Sequence, residues 1–326
     1  MPSPTRSDLH QNVPLQNFTV AAMQEDADFI LWQAAPPLEV DDQKDDYYTY
    51  DTGAWNRREM KPRGVSEESV GSGWTVSTDN YNCKLRSVHK DNDWDDIAAA
   101  DAGIELDQDA AEWGANQIRI EGDALFAAAC FKAGVWSTNY TGVIGAPGAL
   151  EFTRWSESST DPQEDVEVLK GIIKGLCGKE PNTMVVGDHV HPALVTNAAV
   201  RDAIKYTDPT MSKIVGSKLA AYFGVDKYIR ASAVYNTAAE GQTKVMSQIC
   251  DAHGMWLGYV NPTVGRKVMT AARTFAWKRG GRGSQGVYTW SFDLPKIKST
   301  RHEFELYVDV KIVAADAGAY VASIVT

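Results

Sequence analysis

From Ile104 to Phe131 the residues Ile104, Leu106, Ala110, Trp113, Gln117, Ile120, Ala124 and Phe131 recur at intervals dominated by three and four. That is the spacing of one helix burying a single stripe. Some 28 residues at 1.5 Å each make a rod of roughly 42 Å. A 326-residue chain built around one such rod is expected to be an elongated subunit. The approach to the rod is acidic: residues 91–123 hold eleven Asp and Glu against Arg119 alone. Negative charge ahead of a helix complements the positive end of its dipole.

Residues 163–260 alternate in character and read as a compact α/β domain: helix 163–177, strand 183–187, helices 192–206 and 212–223, strand 227–235 and an apolar stretch 255–260. Within it, Pro181 and Asn182 make a turn, and Met184, Val185 and Val186 read as a buried strand. Gly187 and Asp188 break the strand, and Pro192 suits the first turn of a helix bearing Leu194, Ala198 and Ile204. Such a turn often holds a phosphate or a nucleophile. This one lacks the glycine-rich, Gly-Lys-Ser/Thr and Gly-x-Ser-x-Gly patterns that do so.

The flanks differ. Residues 1–40 read as an extended arm with a short helix near Val20 to Trp32. Residues 47–90 are rich in Tyr, Thr, Gly and Ser and read as one long two-stranded hairpin with a basic tip, Arg57 to Arg63. A lone hairpin is marginally stable in water, so this one is expected to dock on a neighbouring copy. Gly142 to Gly148 reads as a loop and Phe152 to Trp155 as a strand. Phe304, Leu306, Val308, Val310 and Ile312 alternate along a further strand, 303–313.

The net charge of -11 argues against a protein that coats nucleic acid. The best apolar run, Ala124 to Val135, is too short for a membrane span and is interrupted by Lys132. The polar start of the chain gives no expectation of a secretory signal. Cys83, Cys130, Cys177 and Cys250 are far apart and read as buried thiols, so the sequons at Asn17 and Asn139 carry no consequence. Ten Trp and thirteen Tyr suit both cores and protein interfaces.

Each candidate for chemistry has a plainer reading. His189 and His191 would face one side of a strand and bind a metal, but only Asp188 accompanies them. Asp93, Asp95 and Asp96 around Trp94 evoke a glycosidase, whose carboxyls stand apart across a cleft rather than in a run; they read as a helix approach. Asp41, Asp42, Asp45 and Asp46 lack the glycine and final glutamate of a calcium loop and read as a solvated or interfacial patch. The loop 280–286, following Lys278 and Arg279 and containing Arg282, lacks the ending of a phosphate loop and reads as a basic contact with acidic protein surface. No nucleophile has a recognisable base and orienting acid. No catalytic residue, cofactor or metal is expected.

Several segments, in order, resemble one family. They are Pro36 to Val40 (PPLEV), 45–50 (DDYYTY), the basic turn with Arg57, Arg58, Lys61, Arg63 and Gly64, Tyr81 and Cys83 on a strand, the acidic lead-in to a long helix, Asp161-Pro162 with Asp165 and Val166, residues 181–187 (PNTMVVG), and Ala220 to Val225. Together they are similar to the major capsid proteins of tailed phages, across roughly residues 20 to 326. The resemblance implies an α+β Hong Kong 97-like fold: N-terminal arm 1–45, extended β-hairpin loop 46–92, spine helix and peripheral domain 93–162, axial α/β domain 163–285 and returning strands 286–326. It implies pentamers and hexamers of an icosahedral shell around double-stranded DNA, no membrane, and scaffolding, portal and decoration proteins as partners. Independently of the family, acidic 1–51 (ten acids, two bases) and 91–123 face basic 57–63 and 261–301 (nine bases, Asp293 alone). Such blocks suit head-to-tail contacts that close into rings. The expected interface residues are Asp41, Asp42, Asp45, Asp46, Arg57, Arg58, Lys61, Arg63, Lys278, Arg279 and Arg282. A glycan-active enzyme using the Asp/Trp segment, and a ligand- or nucleic-acid-binding module using the basic loop, are the competing expectations.

Overall fold

The computed structural model describes residues 24, 28–50, 52–100, 105–157, 160–207, 216–261, 263, 268–279 and 285–326. The described chain opens with helix α1 (Leu31–Ala34), strands β1 (Pro37–Val40) and β2 (Lys44–Tyr50), helix α2 (Thr52–Trp55), β3 (Val76–Asn82), β4 (Lys84–Asp93), α3 (Trp94–Ala99) and the spine helix α4 (Leu106–Ala129). Then come β5 (Thr138–Val143), β6 (Glu151–Thr153), α5 (Pro162–Cys177), β7 (Thr183–Gly187), α6 (Val190–Thr196), α7 (Ala198–Thr207), α8 (Gly216–Phe223) and β8 (Lys227–Ala231). Seven strands complete it: β9 (Val234–Asn236), β10 (Met246–Gln248), β11 (Met255–Gly258), β12 (Ala272–Trp277), β13 (Val287–Leu294), β14 (Ser299–Ile312) and β15 (Gly318–Ala322).

Two sheets organise these elements. A six-stranded mixed sheet runs β6-β5-β15-β11-β7-β8, and α5 to α8 belong to the same half. In the other, five-stranded sheet the fourteen-residue β14 is the axis: β4 pairs with it over 299–308, β13 over 299–306, and β12 over 308–312, with β1 beyond β12. The spine packs on β14. At Gly114 an added Cβ would lie 2.3 Å from the Phe304 ring, so only glycine lets helix and strand approach this closely. The spine's 24 residues span about 36 Å, and it ends where the Cys130 N–H bonds back to the Phe126 carbonyl. The main core gathers Phe126, Trp136, Trp155, Trp256 and Tyr320, all nearly water-free.

Local chemistry explains the half built on the six-stranded sheet. The Asp161 carboxylate accepts from the Gln163 N–H at 3.0 Å, Pro162 fills the first turn of α5, and Gly178 closes it at φ 71°. Buried Lys170 donates to the last carbonyl of α8, Phe223, to that of Gly224 just beyond it, and to Glu167, placing a cation at that helix's negative end.

Three expectations change. The hairpin is shorter than 47–90: β2 pairs only with β3, Lys44 opposite Asn82 through Tyr50 opposite Val76. The chain changes ladder at buried Cys83, and 84–93 joins β14 instead. Helix 192–206 is two helices, because Asn197 is extended and its Oδ1 accepts the Ala199 N–H at 2.9 Å, starting α7 afresh. Strand 227–235 breaks at Ser232 and Ala233 into β8 and β9. The expected helix near Val20 to Trp32 falls mostly outside the described residues, within which a short helix begins at Leu31. The four cysteines are free and buried. Among the described residues no helix is long and apolar enough to cross a membrane.

Candidate subunit interface

The β2–β3 ribbon roots on the five-stranded sheet, where Tyr81 stacks on Phe275 at 4.6 Å and the Asn82 N–H donates to Asp309. Beyond Tyr50 the chain leaves regular structure apart from one turn of helix, and residues 60–80 are all exposed. Large apolar side chains stand in water there: Val65 is 100% exposed, Met60 95%, Trp74 63% and Trp55 48%. The Trp55 and Trp74 rings lie 5.7 Å apart. A monomer gains nothing by exposing such a set, and a cluster of exposed large apolar side chains of the kind the two tryptophans form marks an interaction site. The basic residues Arg57, Arg58, Lys61 and Arg63 sit in the same loop and are exposed, Arg57 pairing with Glu59 at 3.2 Å.

The other expected interface residues gather elsewhere. Val40 pairs with Trp277, the Trp277 indole donates to the Asp41 carbonyl at 2.8 Å, and Lys278 lies 3.7 Å from Glu39. Asp41, Asp42, Asp45 and Asp46, all exposed, thus share one end of the sheet with Lys278 and Arg279, which bonds Glu305 and Tyr307. Arg57 to Arg63 are not brought to that end, and Arg282 lies outside the described residues.

A second surface escaped the sequence reading. Between the spine and β13 runs a groove of about 310 Å3, floored by Ala111, Ala115 and Ile118 on the helix and by Val287, Trp290 and Phe304 on the sheet. Trp290 stays 42% exposed, although its indole N–H reaches Glu305 at 3.2 Å. Alanines four apart on the spine are the signal for the groove. Tryptophans set among Gly, Ser and Arg (GAWNRR, GSGWTVS) are the corresponding signal for the loop.

The remaining candidates resolve into structure. His189 is exposed, with its ring edge-on to His253 at 4.8 Å. His191 bonds the Tyr228 hydroxyl at 3.0 Å, and burial, then the Arg230 charge, lowers its pKa. Asp188 is held by Arg230 at 2.6 Å and Gln248 at 2.7 Å. Among the described residues no three His, Cys, Asp or Glu converge to hold a metal. Asp93 caps α3 by accepting the Asp95 N–H at 2.8 Å. Buried Asp123 on the spine accepts from the N–H groups of Ile30 (3.0 Å) and Leu31 (2.8 Å), fastening the segment that leads into β1. Burial pushes its pKa up to about 6, against those two hydrogen bonds, which lower it.

No family model matches the sequence. None of the curated proteins is similar to it in sequence. Solved structures do match in shape. A phage-related protein from Bordetella bronchiseptica RB50 is similar at a TM-score of 0.69 and 17% identity, over 92% of this chain and 94% of that one. The capsid of Cyanophage P-SCSP1u is similar at 0.59 and 9% identity, over 97% and 93%. The mature capsid of bacteriophage PhiM1 is similar at 0.56 and 12% identity, over 97% and 92%. The chain has the Hong Kong 97-like phage capsid fold, as the motif resemblance implied.

Proposed function

We propose that this chain is the major capsid subunit of a tailed double-stranded DNA phage, self-assembling into the pentamers and hexamers of an icosahedral head that encloses the genome. The observation that carries this reading is the likeness to phage capsid structures over nearly the whole of both chains. The exposed apolar loop supports it, because that loop has a use only in an assembly. Its role is structural rather than enzymatic. The proposed division is arm 1–45, extended loop 46–92, spine and peripheral domain 93–162, axial domain 163–285 and returning strands 286–326. Scaffolding, portal and decoration proteins are the proposed partners, and the bacterial cytoplasm the site of assembly into the virion.

The acidic end at Asp41 to Asp46 and the bases Arg57 to Arg63, Lys278, Arg279 and Arg282 are proposed to meet across subunits. The net charge of -11 lets a shell wall enclose DNA without adhering to it. Expressing the chain alone, or with its scaffolding partner, and imaging the product by electron microscopy tests the proposal. Closed shells are expected; a monodisperse small oligomer under both conditions refutes it.

A further inference from the structure

A sheet buries its face under helices laid side by side, and among the described residues the five-stranded sheet has one helix fewer than its face has room for. The spine packs over β14 and β4 and leaves the same face of β13 uncovered. Val287, Thr289 and Ser291 lie on that face, opposite Leu306, Phe304 and His302. Packed helices stand about 8–10 Å apart and paired strands about 4.8 Å. A second helix beside the spine would therefore lie over β13 and its open outer edge, where the groove of about 310 Å3 runs. The spine offers that helix a stripe of its own. Ala111, Ala115 and Ile118 stand four and three residues apart, and alanine lets a neighbouring helix come close. From Ala111 to Ile118 the stripe rises roughly 10 Å, two turns of helix.

Charge selects the kind of helix. Residues 105–112, leading to the groove, expose Glu105, Asp107, Asp109 and Glu112 and hold no base. Lys90, over the Trp113 ring, and Lys296 and Lys298, in the turn after β13, stand outside that run. A basic partner is attracted there and an acidic one repelled. This chain's own described helices do not suit. Helix α5 exposes Val168 and Leu176, but with Glu164 and Glu167 against one exposed base, Lys174. Helix α7 exposes Arg201 and Lys205, but no large apolar side chain among its described residues. Residues 1–23 set Arg6 against Asp8 and are interrupted by Pro14. We infer that the groove between spine and β13 seats a basic amphipathic helix of a different protein. Its apolar residues at i, i+3 or i+4 and i+7 lie on Ala111, Ala115 and Ile118, and its bases lie beside the acidic start of the spine. The surface belongs to the folded subunit and does not depend on the shell reading.

The probe is a fluorescein-labelled leucine–lysine peptide with its leucines along one helical face, and a scrambled isomer of the same composition is the control. Fluorescence anisotropy reads its binding to the unassembled subunit at about 0.15 M salt. The wild-type subunit is expected to bind the amphipathic peptide about tenfold more tightly than the isomer. Ala115→Trp fills the groove from the helix side and Thr289→Trp from the strand side. Each is expected to weaken binding about tenfold while the far-ultraviolet spectrum is unchanged. Asp109→Lys combined with Glu112→Lys should weaken binding and flatten its salt dependence. Equal binding by wild type and both groove-filled variants, or of peptide and isomer, overturns the inference, because the peptide then merely adheres to acidic surface. Absence of binding to the wild-type subunit overturns it too. So does a wild-type subunit that sediments as a dimer where Ala115→Trp sediments as a monomer, which would make a second copy the occupant. None of these readouts needs a particle, so the shell reading stands or falls on its own test.

Discussion

Asp123 is the buried carboxylate whose titration the structure makes measurable. It is 1% exposed and holds the backbone N–H groups of Ile30 and Leu31, and burial places its folded pKa at about 6 against 3.8 for the unperturbed group. A raised folded pKa means that this group's stabilising contribution is fully present below the unfolded value. It is then lost as pH rises through about 6. Between pH 5 and pH 8 the loss amounts to roughly 1.4 kcal/mol, one unit of pKa. Asp123→Asn keeps Oδ1 for both N–H groups and removes the titration. Relative to wild type the Asn variant should therefore gain roughly 1.4 kcal/mol on going from pH 5 to pH 8. Asp123→Ala instead orphans two buried donors and should cost about 1–3 kcal/mol per donor at both pH values. Urea unfolding of the unassembled subunit at the two pH values, followed by tryptophan fluorescence, supplies the numbers. Parallel pH profiles for wild type and Asp123→Asn would refute the argument, since they would mean that Asp123 is as well solvated in the folded chain as in the unfolded one.

Reversing Arg57, Arg58, Lys61 and Arg63 to Glu is expected to block shell assembly while leaving the subunit's helical signal intact; normal shells from that variant would remove charge from the account. Gly114→Ala should destabilise the subunit by about 1–3 kcal/mol through overpacking on Phe304, and an unchanged unfolding midpoint would show that spine and β14 are not in close contact. His189→Gln, at an exposed site, should stay within ~0.5 kcal/mol, whereas His191→Gln gives up the Tyr228 bond at about 1 kcal/mol. Particle morphology should be unchanged in both, and one metal per chain that disappears in the double variant would contradict the structural reading of this turn.

Much of the fold was legible where local chemistry and periodicity agree. Asp161-Pro162 and Gly178 bracket α5, Met184 to Val186 form a strand buried along its whole length, and Phe304, Leu306, Val308 and Val310 are buried along β14, although Glu305 and Tyr307 on the opposite face are buried as well. The reading failed where tertiary context decides. Nothing in the run from Ser77 to Lys90 announces that the chain leaves one ladder and enters another at Cys83, because both ladders want the same extended, alternating residues. Asn197 was hidden in an amphipathic pattern that continues through it, although asparagine is a residue that starts helices. The groove was invisible because it is made by two segments some 175 residues apart, and alanine in a helix ordinarily signals only propensity.

The continuity of β14 has a mechanical consequence. This strand is hydrogen-bonded along both sides through Ser299 to Leu306, and the chain then passes through a single helical turn, Ala315–Ala317, into β15 in the middle of the other sheet. Tension that draws the two sheets apart is thus delivered along the axis of β14 rather than across it. The ladder bonds to β4 and β13 share that load together instead of parting one after another. A thin wall under internal pressure would find its subunit stiff along this line, with the long loop as its compliant element.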